Sequence, residues 1–178
     1  MSAPSVSKPG APSLPAPSPW RAVFWGGLAA GIGDIAQAML AFGMMGATPF
    51  RIFQSIARGY FGARTFQMGW TSFAIGFATH FFIAGTAAAV YYVASRRLPG
   101  RMARALTERA VLCGLLYGEA VFLVMYFVVM PLSQVGWPRF PFNWATWLTG
   151  PLGHPLLVGL PIALAVRRFA SNPLPRRR

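Results

Sequence analysis

Four apolar stretches, each about as long as a membrane is thick, constrain this chain more than any other feature of its sequence. They cover residues 22–46, 70–95, 110–132 and 147–166. About 20 apolar residues span the hydrocarbon core of a bilayer as a helix, and lipid offers no partner to an unpaired backbone amide. No segment alternates between polar and apolar residues as a strand of a membrane barrel does. The sequence therefore predicts an all-α polytopic membrane protein with four transmembrane helices.

Charged residues are scarce and segregated. They make up 11% of the chain, with 16 basic against 3 acidic residues and a net charge of +13, whereas soluble domains contain about 25% charged residues. On a soluble protein this balance would indicate nucleic acid, but here the basic residues flank apolar stretches and no nucleic-acid-binding motif is present. We therefore expect a bilayer with anionic headgroups, and not nucleic acid, as the partner.

The basic residues also predict how the chain is threaded and divided. Twelve of the 16 lie on one side if the N-terminus is cytoplasmic, so the positive-inside rule places both termini in the cytoplasm. Residues 1–19 are rich in Pro, Ser and Ala and are expected to be a disordered tail. Residues 20–168 form the predicted transmembrane domain, and 169–178 a basic cytoplasmic tail.

One connection has a helical pattern of its own, "TPFRIFQSIARGYFG" at 48–62. Thr48 is a suitable N-cap and Pro49 suits a first helical turn. The apolar face would contain Phe50, Phe53, Ile56 and Tyr60, and the polar face Arg51, Gln54, Ser55 and Arg58. The pattern predicts an amphipathic helix in the membrane interface on the outer side.

Each apolar stretch contains one acidic residue or histidine: Asp34, His80, Glu119 and His154. Measured along the helices from the nearest arginine, their depths are about 15 to 24 Å. Such groups are unfavourable in hydrocarbon and normally face the bundle interior and a partner. Gln37, one helical turn after Asp34, and Tyr126, two turns after Glu119, are further candidates. The sequence predicts that these polar side chains meet at the bundle centre.

Three interpretations of this set remain open. The Asp–His and Glu–His pairs can be purely structural contacts between helices of an assembly or scaffold protein. They can form a polar site for a small solute or a proton path. His80 and His154 can also be ligands of a haem or a divalent metal. No CxxCH or HExxH motif is present, and we expect no cofactor.

Three segments resemble the YagU-like family of small bacterial inner-membrane proteins, a family without an established biochemical function. They are "THFFIAGTAAAVYYV" at 79–93, "GLLYGEAVFLVMYFVVMPL" at 114–132 and "GHPLLVGLPIALAVRR" at 153–168. In that family a Thr-His opens an apolar helix and a Gly-His helix ends in Arg-Arg, so His80 and His154 occupy its histidine positions. The resemblance implies a multi-pass protein of the bacterial inner membrane.

The sequence thus favours a non-enzymatic integral membrane protein that binds or conducts a small solute or protons through a polar bundle centre. An assembly protein and a haem- or metal-binding redox protein are the alternatives. Four helices of this length often need partners to enclose a pore, so a homo-oligomer is also expected.

Overall fold

Every apolar stretch forms a long helix in the computed structural model, which describes residues 17–137 and 143–170. The helices, in chain order, are α1 (Pro19–Gly43), α2 (Pro49–Phe61), α3 (Gly69–Arg97), α4 (Gly100–Glu108), α5 (Ala110–Leu132) and α6 (Trp144–Phe169). A 3₁₀ segment, Gly62–Gln67, precedes α3. Within the described ranges there is no strand.

Helices α1, α3, α5 and α6 are long and apolar enough to cross a membrane. Large apolar side chains cover their outer surface, as on Phe82 of α3, Leu116 of α5 and Leu156 of α6. Such a surface suits hydrocarbon and not water. The predicted all-α polytopic fold is confirmed, and the chain is a multi-pass integral membrane protein. The predicted tails lie outside the described residues, apart from 17–19 and 169–170.

Helix α1 packs between α3 and α6, and α5 packs against α6. The backbone amide of Ser18 donates to the carbonyl of Phe169 at 2.7 Å, so the start of α1 and the end of α6 lie at the same end of the bundle. Helix α4 joins this end, where the Tyr91 hydroxyl donates to the Leu106 carbonyl at 2.8 Å. We call it the α4 end, and the opposite end the α2 end.

Glycines allow the helices to approach closely. A methyl group at Gly27 of α1 would lie 2.8 Å from the Cα of Gly85 on α3. Gly114 and Gly118 of α5 face the backbone of α6. A methyl group at Gly114 would lie 3.0 Å from the Gly159 carbonyl oxygen, and one at Gly118 would overlap the carbonyl of His154. Because lipid provides no hydrophobic force between helices, this close packing is a main source of their association.

Helix α2 is present as predicted, but a neighbouring segment covers one residue of its polar face. Gln54, which belongs to the predicted polar face, is 1% exposed. The 3₁₀ segment turns back over α2, and the backbone of Gln54 accepts from the hydroxyl of Thr65 at 3.1 Å. Amphipathicity along one helix cannot report a neighbour that covers its polar face.

A buried polar network holds α2 against α3. Gln54 Nε2 donates to Ser72 Oγ at 3.0 Å, and Ser72 Oγ donates to the Thr65 carbonyl at 2.7 Å. All three residues are 0–1% exposed. Buried polar groups of this kind are unfavourable once a partner is removed.

We expect Ser72→Ala to lower the free energy of unfolding by about 1–2 kcal/mol, because it deprives Gln54 and Thr65 of a buried partner. Thermal unfolding in detergent measures the change. The control is Thr86→Ala on the same helix, where the exposed hydroxyl bonds only to the carbonyl of Phe82. Equal stability of the two variants would contradict the role of the network.

Candidate functional site

A cavity of about 560 Å³ opens in the half of the bundle nearer the α2 end. It lies between two apolar cores. One contains Ala87 and Val158 and fills the α4 end. The other contains Ile35 and Ile52 and joins α2 to the bundle. Most of the lining is apolar, and its polar members are Asp34, Arg51, Ser55, His80, Tyr126, Thr149 and His154.

Asp34 belongs to a polar cluster that joins α1 to α6. Gln37 Nε2 donates to Asp34 Oδ1 at 3.4 Å and to the Thr149 carbonyl at 3.0 Å. His154 Nδ1 lies 2.7 Å from the same carbonyl and 3.9 Å from Asp34 Oδ1. The side chains of Asp34 and His154 remain 26% and 16% exposed, toward the cavity that both line.

The geometry of α6 explains why a backbone carbonyl is the centre of this cluster. Two stretches of α6, Leu148–Leu152 and His154–Gly159, are π-helical and contain Pro151 and Pro155, which have no amide hydrogen. The amide of Gly153 bonds to the carbonyl of Gly150 and not in the α-helical register to Thr149. The Thr149 carbonyl therefore accepts from side chains. A side chain at Gly153 would overlap the Gln37 amide, so the absence of a side chain there leaves the space that the Gln37 amide occupies.

His80 lines the same cavity from α3. It is 8% exposed, and its Nε2 lies 2.8 Å from the carbonyl of Gly31 on α1, to which it donates. Gly31 leaves room for the ring of Phe81, which a methyl group there would meet at 2.8 Å. His80 thus links α1 to α3, and its other ring nitrogen has no hydrogen-bond partner among the described residues.

Tyr126 of α5 reaches the cavity from a π-helical turn, Met125–Val129. Its hydroxyl bonds to the side chain of Thr146 on α6. The ring of Phe122 lies between Tyr126 and His154, with centroid distances of 4.6 Å and 5.6 Å. Phe122 is 2% exposed and sits over Gly150, where a methyl group would clash with its ring. A tight aromatic contact therefore orients both polar side chains.

Glu119 is not part of this arrangement. It lies on α5 and is half-buried, but it does not line the cavity and has no hydrogen bond or ion pair with any described residue. The faces of α5 that contact the rest of the bundle contain Gly118, which meets α6, and Tyr117, whose hydroxyl donates to the Ala87 carbonyl of α3 at 2.7 Å. The structure brings together Asp34, Gln37, His80, Tyr126 and His154, and leaves Glu119 apart.

No three His, Cys, Asp or Glu side chains cluster as metal ligands in the part of the chain that the structure describes. His80 and His154 each use one ring nitrogen for a backbone carbonyl, on different helices. The other nitrogen of each ring could serve as a ligand, so ligation of haem or a metal by the two histidines stays a prediction.

Three polar residues of the cavity, Arg51, Ser55 and Thr149, were not singled out from the sequence as site residues. Arg51 Nη1 donates to the Phe66 carbonyl at 3.2 Å, and its guanidinium lies 5.3 Å from the centre of the Phe66 ring. Arg51 and Phe66 line the cavity beside α2. Thr149 acts through its carbonyl, which every residue has. The only sequence signal for it is the pair of prolines, Pro151 and Pro155, that disturbs the helix around it.

No protein-family model, curated protein or solved structure matches this chain.

Proposed function

We propose that this protein binds a small, largely apolar molecule in the cavity, and that the molecule bears a cationic or hydrogen-bond-donating group directed at Asp34. The observation that carries the proposal is the incomplete pairing of the Asp34 carboxylate. Its contacts are one long hydrogen bond, 3.4 Å from Gln37, and His154 at 3.9 Å. An ionised carboxylate has about four acceptor positions, so the cavity side of Asp34 has capacity for a donor.

The size and lining of the cavity support the same class of ligand. A volume of about 560 Å³ falls in the range of small-molecule sites, which combine apolar walls with a few oriented polar groups. Here Gln37, His154 and the Thr149 carbonyl fix the position of the Asp34 carboxylate. Such a site favours a ligand with an apolar body and a single polar group.

Binding accounts for this geometry better than free passage does. Toward the α4 end, apolar residues including Tyr91, Ile162 and Val166 fill the bundle. The Tyr117–Ala87 hydrogen bond closes the gap between α5 and α3. Within the described residues no polar chain continues from Asp34 or His80 through this core. Transfer of a solute or proton across the membrane would require α3 and α5 to separate there.

The proposal includes the bacterial inner membrane and a cytoplasmic α4 end. Its support is the excess of arginines near that end, which matches the positive-inside rule. Arg101, Arg104 and Arg109 line a cleft of about 530 Å³ on and beside α4, together with Glu108. None of the three arginines forms an ion pair with a described carboxylate. Guanidinium groups in this position suit anionic lipid headgroups. The resemblance of His80 and His154 to the YagU-like pattern agrees with this membrane.

The test uses amines as probes, because an ammonium group complements Asp34. We expect purified protein in lipid nanodiscs to bind benzylamine or cyclohexylamine saturably in calorimetry, and the matched alcohols at least tenfold more weakly. Asp34→Asn should lower amine affinity by about 10- to 100-fold, the equivalent of one hydrogen bond to a charged group.

Glu119→Gln is the matched control, since it neutralises an intramembrane carboxyl outside the cavity. Its amine affinity should equal that of the wild type. Equal affinity of wild type and Asp34→Asn, or no saturable amine binding by the wild type, would contradict the proposal. A loss of thermal stability alone in Asp34→Asn would favour a structural role for the polar cluster.

A further inference from the structure

Glu119 is a carboxyl group at membrane depth without a partner in its own chain. It follows Arg109 by ten residues, about 15 Å along α5. Its carboxyl group forms no hydrogen bond or ion pair within the described residues. No lysine or arginine occurs between Arg109 and Arg139 or in the other three apolar stretches, 22–46, 70–95 and 147–166. His80 and His154 line the cavity, which Glu119 does not. The chain therefore provides no cation at this depth that could neutralise Glu119.

Glu119 lies at the edge of the face by which α5 packs against the bundle, and not within that face. Gly114, Gly118 and Phe122 are buried against α6. Leu116 and Leu123, one turn before and after Glu119, are 63% and 45% exposed. Glu119 lies between these two faces, where the surface in contact with lipid begins.

A carboxyl group at such an edge is strongly unfavourable in hydrocarbon, and membrane proteins normally give it a polar partner. In its protonated form a carboxyl group has one donor and acceptor capacity on both oxygens. Two protonated carboxyls can therefore satisfy each other, each donating to the other. This complementarity requires a second carboxyl in the same position, which a two-fold axis provides.

We propose that the Glu119 edge of α5 is the interface with a second copy of this chain, in which the two Glu119 carboxyl groups form reciprocal hydrogen bonds. The neighbouring leucines of α5 pack across the same two-fold axis and exclude lipid from the pair. The proposal is independent of the cavity and of its ligand, because no residue of this edge lines the cavity.

Disulfide crosslinking in lipid vesicles tests the interface. Cys113→Ser provides a background without cysteine, into which Leu116→Cys or Leu123→Cys is introduced. We expect each to form a crosslinked dimer on mild oxidation. Phe82→Cys, on the exposed face of α3, is the control for random collisions and should crosslink at least tenfold more slowly. Equal crosslinking from α3 and α5 would overturn the proposal.

The role of the carboxyl itself is tested by the monomer–dimer equilibrium, measured by single-molecule photobleaching as the protein is diluted in lipid. Glu119→Leu should weaken dimerisation by about five- to thirtyfold, the range of interhelical hydrogen bonds in membranes. Glu119→Gln should retain it, because an amide is also self-complementary. A wild type that is monomeric at every dilution, or an unchanged equilibrium in Glu119→Leu, would refute the interface. A thermal unfolding midpoint of Glu119→Leu in detergent close to that of the wild type shows that the variant is folded.

Discussion

Replacing Gly118 by alanine is expected to lower the free energy of unfolding by about 3 kcal/mol, the upper part of the range for overpacking. The added methyl group would overlap the carbonyl of His154 and lie 2.6 Å from the Cα of Pro155. These are backbone atoms, so no side-chain rotation can relieve the clash. The helices α5 and α6 must move apart, and reversible unfolding in detergent measures the cost.

The same substitution has a consequence for the site, because the clash falls on His154. Moving α6 away from α5 would shift the ring of His154 relative to that of Phe122. The centroids of the two rings lie 5.6 Å apart in the wild type. We therefore expect weaker amine binding in Gly118→Ala along with lower stability. Wild-type amine affinity in a destabilised variant would mean that the cavity does not depend on the α5–α6 contact.

Gly85→Ala on α3 is the matched control for this substitution. A methyl group there meets nothing within 4 Å, and alanine is the better helix former by about 0.5–1 kcal/mol. The control should be as stable as the wild type or more stable. Destabilisation of both variants by the same amount would indicate a general intolerance of α-helix substitutions and would contradict the steric argument.

Gly76→Ala is expected to have the second largest effect, about 2–3 kcal/mol, at the contact between α3 and α2. A methyl group at Gly76 would overlap the carbonyl oxygen of Phe53 and lie 2.7 Å from its carbonyl carbon. Helix α2 would have to lift from α3 and carry Ile52 and Arg51, two residues of the cavity wall, with it. Stability and amine affinity should both fall.

The outcome for Gly76→Ala separates two roles of α2. If α2 forms a wall of the ligand site, amine affinity falls in parallel with the loss of stability in Gly76→Ala. Gly85→Ala, on α3 like Gly76, should then lower neither stability nor amine affinity. If α2 is only an anchor at the membrane surface, stability falls while amine affinity stays at the wild-type value. The second result would restrict the site to α1, α3, α5 and α6.

The position of each polar residue along its helix was predictable from the sequence, but the direction of its side chain was not. Asp34 and Gln37 are one helical turn apart on one helix, so their contact follows from local geometry. Glu119 has the same carboxyl chemistry as Asp34 and a similar predicted depth, yet it lies on the edge of α5. The rotation of a helix about its axis depends on what its neighbours are, and for α5 the close approach of Gly114 and Gly118 to α6 decides it.

Two further features could not be predicted from the sequence: which backbone carbonyl accepts side-chain hydrogen bonds, and which polar helix face is covered by another segment. The Thr149 carbonyl joins Gln37 to His154, but every residue has a backbone carbonyl, so the sequence does not distinguish this one. Its availability depends on the π-helical register around Pro151. Gln54 has the polarity of an exposed residue on an amphipathic helix. It is buried because the segment after α2 folds back over it, which a single-helix pattern cannot represent.

The sequence by itself determined the class of the protein, its helices and the scarcity of polar groups within them. The physical reason is that hydrocarbon acts on each segment separately: a long apolar stretch must satisfy its own backbone as a helix wherever the others lie. Only the tertiary structure decided which polar residues share a cavity and that Glu119 stands outside it. Those are relations between helices, set by where small residues permit contact and by the π-helical register of α6, which presents the Thr149 carbonyl to side chains.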